Sequence, residues 1–167
     1  MNIRSFESEK VWDYENAYNW FSSYTRTAKV ISHWELYKKI VNIPGDIIEV
    51  GVFKGASLLR FSTFRELLEN YTSRKIVGFD NFGSFPISTT ASAKDLEFAK
   101  NHDNNSGMGL EQEELYKIIE HKNFKNIELI KGNIIDSIPK YINVNPHTKI
   151  SLLHLDVDVY EPTKYAL

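Results

Sequence analysis

Apolar positions along this 167-residue chain change period several times, and each change predicts an element. Residues 1–12 are polar and read as a loose or docking arm. From Asp13 to Tyr24 the aromatics Tyr14, Tyr18, Trp20 and Phe21 recur at near-helical spacing, with Asp13 placed to cap. A firmer helix spans Thr27 to Val41, where Val30, Ile31, Trp34, Tyr37 and Ile40 form an apolar stripe. Both stripes read as core rather than as a ligand cage. Pro44 and Gly45 end this helical preamble. Ile47, Ile48, Val50 and Val52 then put β-branched bulk on both faces, as a central parallel strand requires.

Gly51 and Gly55 mark a tight turn after that strand, and Ser57 opens an amphipathic helix to Tyr71. Leu58, Phe61, Phe64, Leu67 and Leu68 are its expected inner face. A second strand, Lys75 to Asp80, leads into a long connection over Asn81–Gly109. Its length suits a lid or an insertion, with a short helix over Asp95–Asn101. Glu111 to His121 predicts another helix, with Leu115, Ile118 and Ile119 inward. Ile127–Lys131 is a third strand ending at Gly132-Asn133, and Ile134–Ile142 a short helical crossover containing Pro139. Lys149–Leu155 is a fourth strand running into Asp156-Val157-Asp158, and one more helix starts at Tyr160.

Strands alternating with helices predict an α/β fold: a doubly wound parallel sheet, helices on both faces, right-handed crossovers. The division expected is a helical N-terminal arm over 1–42 and a partial α/β domain over 43–167. With the last helix barely begun at Leu167, the sheet is expected to be incomplete after its fourth strand, and the chain a fragment of a longer protein.

Composition narrows the function. Twenty basic and 22 acidic residues leave a net charge of -2, with no long single-sign run. That disfavours nucleic acid or a membrane surface as partner. The absence of cysteine excludes disulfides, thiolate nucleophiles and cysteine-based zinc sites. The first residues lack an apolar signal-peptide core, and no apolar run approaches the ~20 residues of a transmembrane helix. A soluble cytoplasmic protein is expected, its aromatic-rich start able to pack on a second copy in a homo-oligomer.

The chemistry concentrates at the carboxyl ends of the strands, where parallel sheets bind ligands. Gly51–Ser57 follows strand one, Asp80 strand two, Gly132-Asn133 strand three, and Asp156 and Asp158 strand four. The first turn is Gly-x-x-x-Gly, and Phe53 stands where a pyrophosphate would need glycine for close backbone approach. A P-loop is absent as well. This favours a nucleoside ligand without pyrophosphate, with Asp80 accepting from both ribose hydroxyls and Asn133 reading an adenine edge. His154, inside strand four, reads as sheet-packed rather than as a base; the other histidines show no metal spacing, and Lys54 reads as solvated.

The segments Glu49-Val50-Gly51-Val52-Phe53-Lys54-Gly55, Asp80 and Gly132-Asn133 resemble motifs of class I S-adenosylmethionine-dependent methyltransferases, whose fold is Rossmann-like. More narrowly, PGDIIEVGVFKGAS, GFDNFGSFP and LLHLDVDVYEPTKYAL resemble the macrocin O-methyltransferase family, which methylates sugar hydroxyls of antibiotics. The resemblance runs from about Thr27 to Leu167. It implies that Glu49, Gly51 and Gly55 shape the pocket for the methionine part, with Ser57 near its carboxylate. Asp80 would hold the ribose and Asn133 lie near the adenine. Asp156 and Asp158 match the family's Asp-x-Asp, implying a share in a Mg²⁺ site and in deprotonating the acceptor hydroxyl. The family completes that site with a paired Asp-Asp at the next strand's end, which this chain does not reach. Asn81 and Ser84 stand where the family often has Thr and Gly.

On chemical grounds a sugar hydroxyl needs a base, a metal or both, and two carboxylates favour Mg²⁺ over softer metals. The expected function is therefore O-methyl transfer from S-adenosylmethionine to a hydroxyl of a small molecule, a sugar or glycoside, with divalent-metal help. The competing readings are a non-catalytic cofactor-binding or interaction module, and a cephalosporin-hydroxylase-like relative on the same fold.

Overall fold

The computed structural model describes residues 1–84, 106–158 and 160–167. The short helix expected over Asp95–Asn101, and most of the long connection expected as a lid, lie outside the described residues.

Of the loose or docking arm expected at the start of the chain, the first ten residues form the docked alternative. Strands β1 (Asn2–Ile3) and β2 (Phe6–Glu7) make an antiparallel hairpin, followed by a 3-10 turn over Ser8–Lys10. Arg4 sits at the hairpin turn with a left-handed φ of 52°. Its guanidinium donates to both carboxylate oxygens of Glu114, at 3.2 and 3.0 Å, and to the carbonyls of Met108 and Gly109. Polarity in the sequence conceals this, because the partners lie more than a hundred residues away.

Helix α1 (Val11–Phe21) buries none of its residues. Trp12, Trp20 and Phe21 are 72%, 69% and 82% exposed, so the expectation that this stripe is core is overturned. Aromatic spacing reports a helix face, not whether anything covers it. Ser23, extended at φ −69° and ψ 154°, breaks the chain before α2 (Tyr24–Ile40), which begins three residues before Thr27, the expected start. Helix α2 does enter the core, through Tyr37 and Ile40.

Strands β3 (Asp46–Val50), β4 (Ile76–Asp80), β5 (Ile127–Lys131) and β6 (Ile150–Leu155) form one parallel sheet in the order β5-β4-β3-β6. The intervening helices are α3 (Ala56–Leu68), α4 (Gln112–His121) and α5 (Ile134–Val144), with α6 (Tyr160–Ala166) after β6. Alternation along β3 sends Ile47 and Glu49 to one face and Ile48 and Val50 to the other. On the first face, Tyr37 of α2, Leu58 and Phe61 of α3, and Leu115 and Ile119 of α4 pack on Ile47 and Ile76. On the second, Tyr141 of α5 packs with Ile48, Val50, Val77 and Phe79, flanked by Ile138 and Ala166. Each fully buried side chain of this size contributes ~1.5–3 kcal/mol. Among the described residues no helix is long and apolar enough to cross a membrane.

One expected inner face is corrected. Leu67 and Leu68 of α3 are exposed, whereas Ser62 and Arg65 are buried. The helical period carries the inner face from Leu58 through Phe61 and Ser62 to Arg65, leaving Leu67 outside. Arg65 is accommodated because its guanidinium donates to the carbonyls of Arg74, Lys125 and Asn126. Arg74, also buried, pairs with Glu69 at 2.7 Å and donates to the Ile40 carbonyl and the Ser151 hydroxyl. These arginines tie the amino-terminal edge of the sheet. The opposite edge is left for chemistry.

Candidate active site

Strand β3 lies between β4 and β6, and the chain leaves it first toward β4 and returns later to β6. Connections departing to opposite sides open a crevice at the carboxyl ends. Here it is a cleft of about 540 Å³, lined among others by Gly51, Val52, Ser57, Asp80, Asp156 and Asp158. The turn after β3 and the segment after β6 meet closely. A Cβ on Gly51 would lie 2.1 Å from the Asp156 carbonyl oxygen, and its φ of 91° is one that glycine adopts freely.

Phe53 occupies the place of the missing middle glycine and nevertheless takes φ 52°. That conformation costs a side-chain-bearing residue on the order of 1–2 kcal/mol. Asp80 compensates. Its Oδ2 accepts the backbone N–H groups of Val52 and Phe53 at 2.7 and 2.8 Å, and its Oδ1 accepts that of Phe82 at 2.7 Å. A carboxylate has about four acceptor positions, so room is left for one further donor rather than two. Gly55 answers to packing: a Cβ there would lie 2.7 Å from Leu115 Cδ1. It is also the N-cap of α3 with no side chain to cap it, so Ala56 and Ser57 bring the first turn of the helix to the cleft uncovered.

Glu49 is fully buried beneath this floor. Burial pushes its carboxyl above the ordinary range, while His154 and Ser57 pull the other way. The Ser57 hydroxyl donates to Glu49 Oε1, and His154 Nδ1 lies 3.4 Å from the same oxygen, too long for a good hydrogen bond. Among the described residues Glu49 Oε2 has no hydrogen-bond partner. His154 packs within the sheet layer, its ring edge-on to His33 and Phe61 at 5.0 and 5.5 Å. His33, on α2, stacks on Phe61, and Arg60 Nη1 lies 3.1 Å from its Nδ1. A guanidinium only donates, so Nδ1 accepts and the His33 proton sits on Nε2. Burial, then the cations around it, lower the His33 pKa to about 4.

Asp156 and Asp158 both reach the cleft. Asp156 Oδ2 lies 3.0 Å from Lys29 Nζ, and Asp158 adopts φ 59°. Lys29 and Arg26, one turn apart on α2, line the same cleft, and sequence reasoning missed both. Cations off the apolar stripe of a helix look solvated until the helix is placed. Lys54, expected in solvent, donates to the Ser106 carbonyl and lies 5.1 Å over the Phe53 ring. Asn133 caps α5, accepting the Ile135 N–H at 3.1 Å; its neighbour Ile134 lines the cleft, and Asn133 does not. Among the described residues no three His, Asp or Glu side chains gather as a metal cluster. Asp156 and Asp158 do supply two hard oxygen donors, the number Mg²⁺ commonly takes from protein.

The strand order and the switch-point cleft define an open, parallel type of α/β protein with helices on both faces of its sheet. The model of the macrocin-O-methyltransferase (TylF) family matches residues 32–167, and the chain belongs to that family. Among solved structures, it is similar to CalS11, a calicheamicin methyltransferase, with 25% identity, 97% of this chain and 65% of that chain covered, and a TM-score of 0.63. The apo structure of CalS11, described as a TDP-rhamnose 3′-O-methyltransferase, gives 27% identity over 97% and 63%, at 0.61. The O-methyltransferase NovP shares the fold, with 20% identity, 83% and 57% covered, and a TM-score of 0.67. The chain thus spans less than two thirds of the length of each of these structures. No curated protein sequence matches it.

Proposed function

We propose that this chain builds the cofactor-binding part of a cytoplasmic S-adenosylmethionine-dependent O-methyltransferase that acts on a hydroxyl of a sugar or glycoside. The observation that carries the reading is the cleft between the Gly51 turn and Asp156, within the segment the family model matches. S-adenosylmethionine supplies a sulfonium-bound methyl, which passes in line to the acceptor oxygen while the carbon–sulfur electrons return to sulfur.

The residues divide the work. Gly51 and Gly55 let the backbone approach the methionine part, and buried Glu49 holds Ser57 at the first turn of α3. Asp80 fixes the turn and keeps one acceptor position for a ribose hydroxyl. Asn133 would serve the adenine side only indirectly, by capping the helix whose first residue, Ile134, lines the cleft. Asp156 is engaged by Lys29, which supports Asp158 as the carboxylate that takes the acceptor's proton. Where Mg²⁺ assists, Asp156 and Asp158 are the residues that would hold it, and it would lower the pKa of the hydroxyl it polarises.

Titration calorimetry of the chain with S-adenosylmethionine is the direct test. Saturable one-to-one binding, displaced by S-adenosylhomocysteine, is expected. A flat titration with correctly folded protein overturns the reading.

A further inference from the structure

We propose that Arg26, backed by Lys29, is an anion-reading subsite of the cleft that takes an oxyanion of the ligand, either a carboxylate or a phosphate. The inference rests on the methyltransferase reading above and assigns a ligand chemistry to residues outside the motifs that suggested it.

A charge inventory of the cleft leads there. Its charged lining residues, among those described, are Arg26, Lys29, Lys54, Asp80, Asp156 and Asp158. Asp80 is occupied by three backbone N–H groups. Lys29 and Asp156 neutralise each other at 3.0 Å. Lys54 is held by the Ser106 carbonyl and the Phe53 ring. That leaves Arg26 and Asp158, each without a hydrogen bond or ion pair from its side chain among the described residues. They are not paired with each other either.

An uncommitted carboxylate and an uncommitted guanidinium facing one cleft call for a ligand of mixed charge. Asp158 suits the cationic or proton-donating part. Arg26 offers a planar fork of N–H donors, which matches a carboxylate or phosphate with two parallel hydrogen bonds. Lys29, one helical turn on, supports it by keeping the Asp156 carboxylate at the same wall paired. The Ser57 hydroxyl does not compete for this role, because it donates to buried Glu49. Two anions are available to such a site: the methionine carboxylate of the cofactor, and a phosphate on a nucleotide-linked acceptor of the kind named for CalS11.

Calorimetry on the wild type, Arg26→Met and Arg26→Lys separates them. If the cofactor carboxylate is read, Arg26→Met weakens S-adenosylmethionine roughly tenfold or more, while decarboxylated S-adenosylmethionine binds both proteins alike. If a phosphate is read, thymidine diphosphate weakens to the same degree, while thymidine does not change. In either case Arg26→Lys restores only part of the loss, since a point charge lacks the fork. Arg26 is exposed, so the melting temperature is expected to stay unchanged. Unaltered affinity of Arg26→Met for both anionic probes overturns the subsite, as does equal loss for charged and uncharged probes. A wild type that binds no S-adenosylmethionine overturns the methyltransferase reading and this inference with it.

Discussion

Asp80 has a role in the fold that the sequence did not suggest. Asp80 does line the cleft, and a strand-end acid was legible. Its three backbone hydrogen bonds were not, because the N–H groups of Val52 and Phe53 come from a turn 27 or 28 residues away. If Asp80 builds the turn, Asp80→Asn will lower the stability of the unliganded protein by ~1–3 kcal/mol, the cost of leaving buried donors short of an acceptor. Urea unfolding without cofactor measures this; an unchanged midpoint would remove the turn-building role. His33 makes a second prediction at this scale. Its pKa falls from 6.5 to about 4 in the fold, so the unfolded chain binds a proton first as the pH drops. The stability it contributes is complete above about pH 6.5 and is lost progressively toward pH 4. That window amounts to on the order of 3 kcal/mol. Glu49, whose carboxyl burial raises, works with the opposite sign, losing stability as the pH rises. Comparing His33→Phe with the wild type isolates the histidine: the variant's stability should fall less between pH 7 and pH 4, and parallel curves would remove His33 from the account.

Among the elements, the N-terminal hairpin has a reach out of proportion to its length. Arg4 fastens Glu114 at the start of α4 and the carbonyls of Met108 and Gly109. Gly109 lines the cleft, and a Cβ on it would lie 2.9 Å from the Gly83 carbonyl oxygen. Leu110 continues the wall by donating its N–H to the Phe53 carbonyl at 2.9 Å. The hairpin is therefore a strap on the cleft wall. Arg4→Met is expected to weaken S-adenosylmethionine about tenfold and to speed hydrogen exchange at the Leu110 amide, with Arg4→Lys recovering little because both carboxylate oxygens need the fork. Unaltered affinity and exchange would reduce the hairpin to surface decoration. Helices and strands themselves were readable almost everywhere, since α3, α4 and all four long strands declare their periods. What failed was the partner of a face. Helix α1 carries an aromatic stripe as marked as that of α2, yet only α2 finds the sheet.

At the scale of the molecule, the two edges of the sheet divide labour: arginines bind the amino-terminal edge, and the carboxyl-terminal edge opens the cleft. The sequence by itself determined the parallel α/β class, the strand boundaries and the order in which polar groups arrive at the strand ends. These depend on local periodicity and on glycines at turns, which are properties of short segments. It also carried the family, through motifs that are contiguous in the chain. Only the tertiary structure decided which polar groups meet. It set Lys29 on Asp156 across 127 residues, sealed Glu49 under Ser57 and His154, and turned Asn133 into a helix cap. Such pairings follow from strand order and helix placement, which a period along the chain does not encode, and among the described residues of the cleft they leave the Arg26 and Asp158 side chains without a partner.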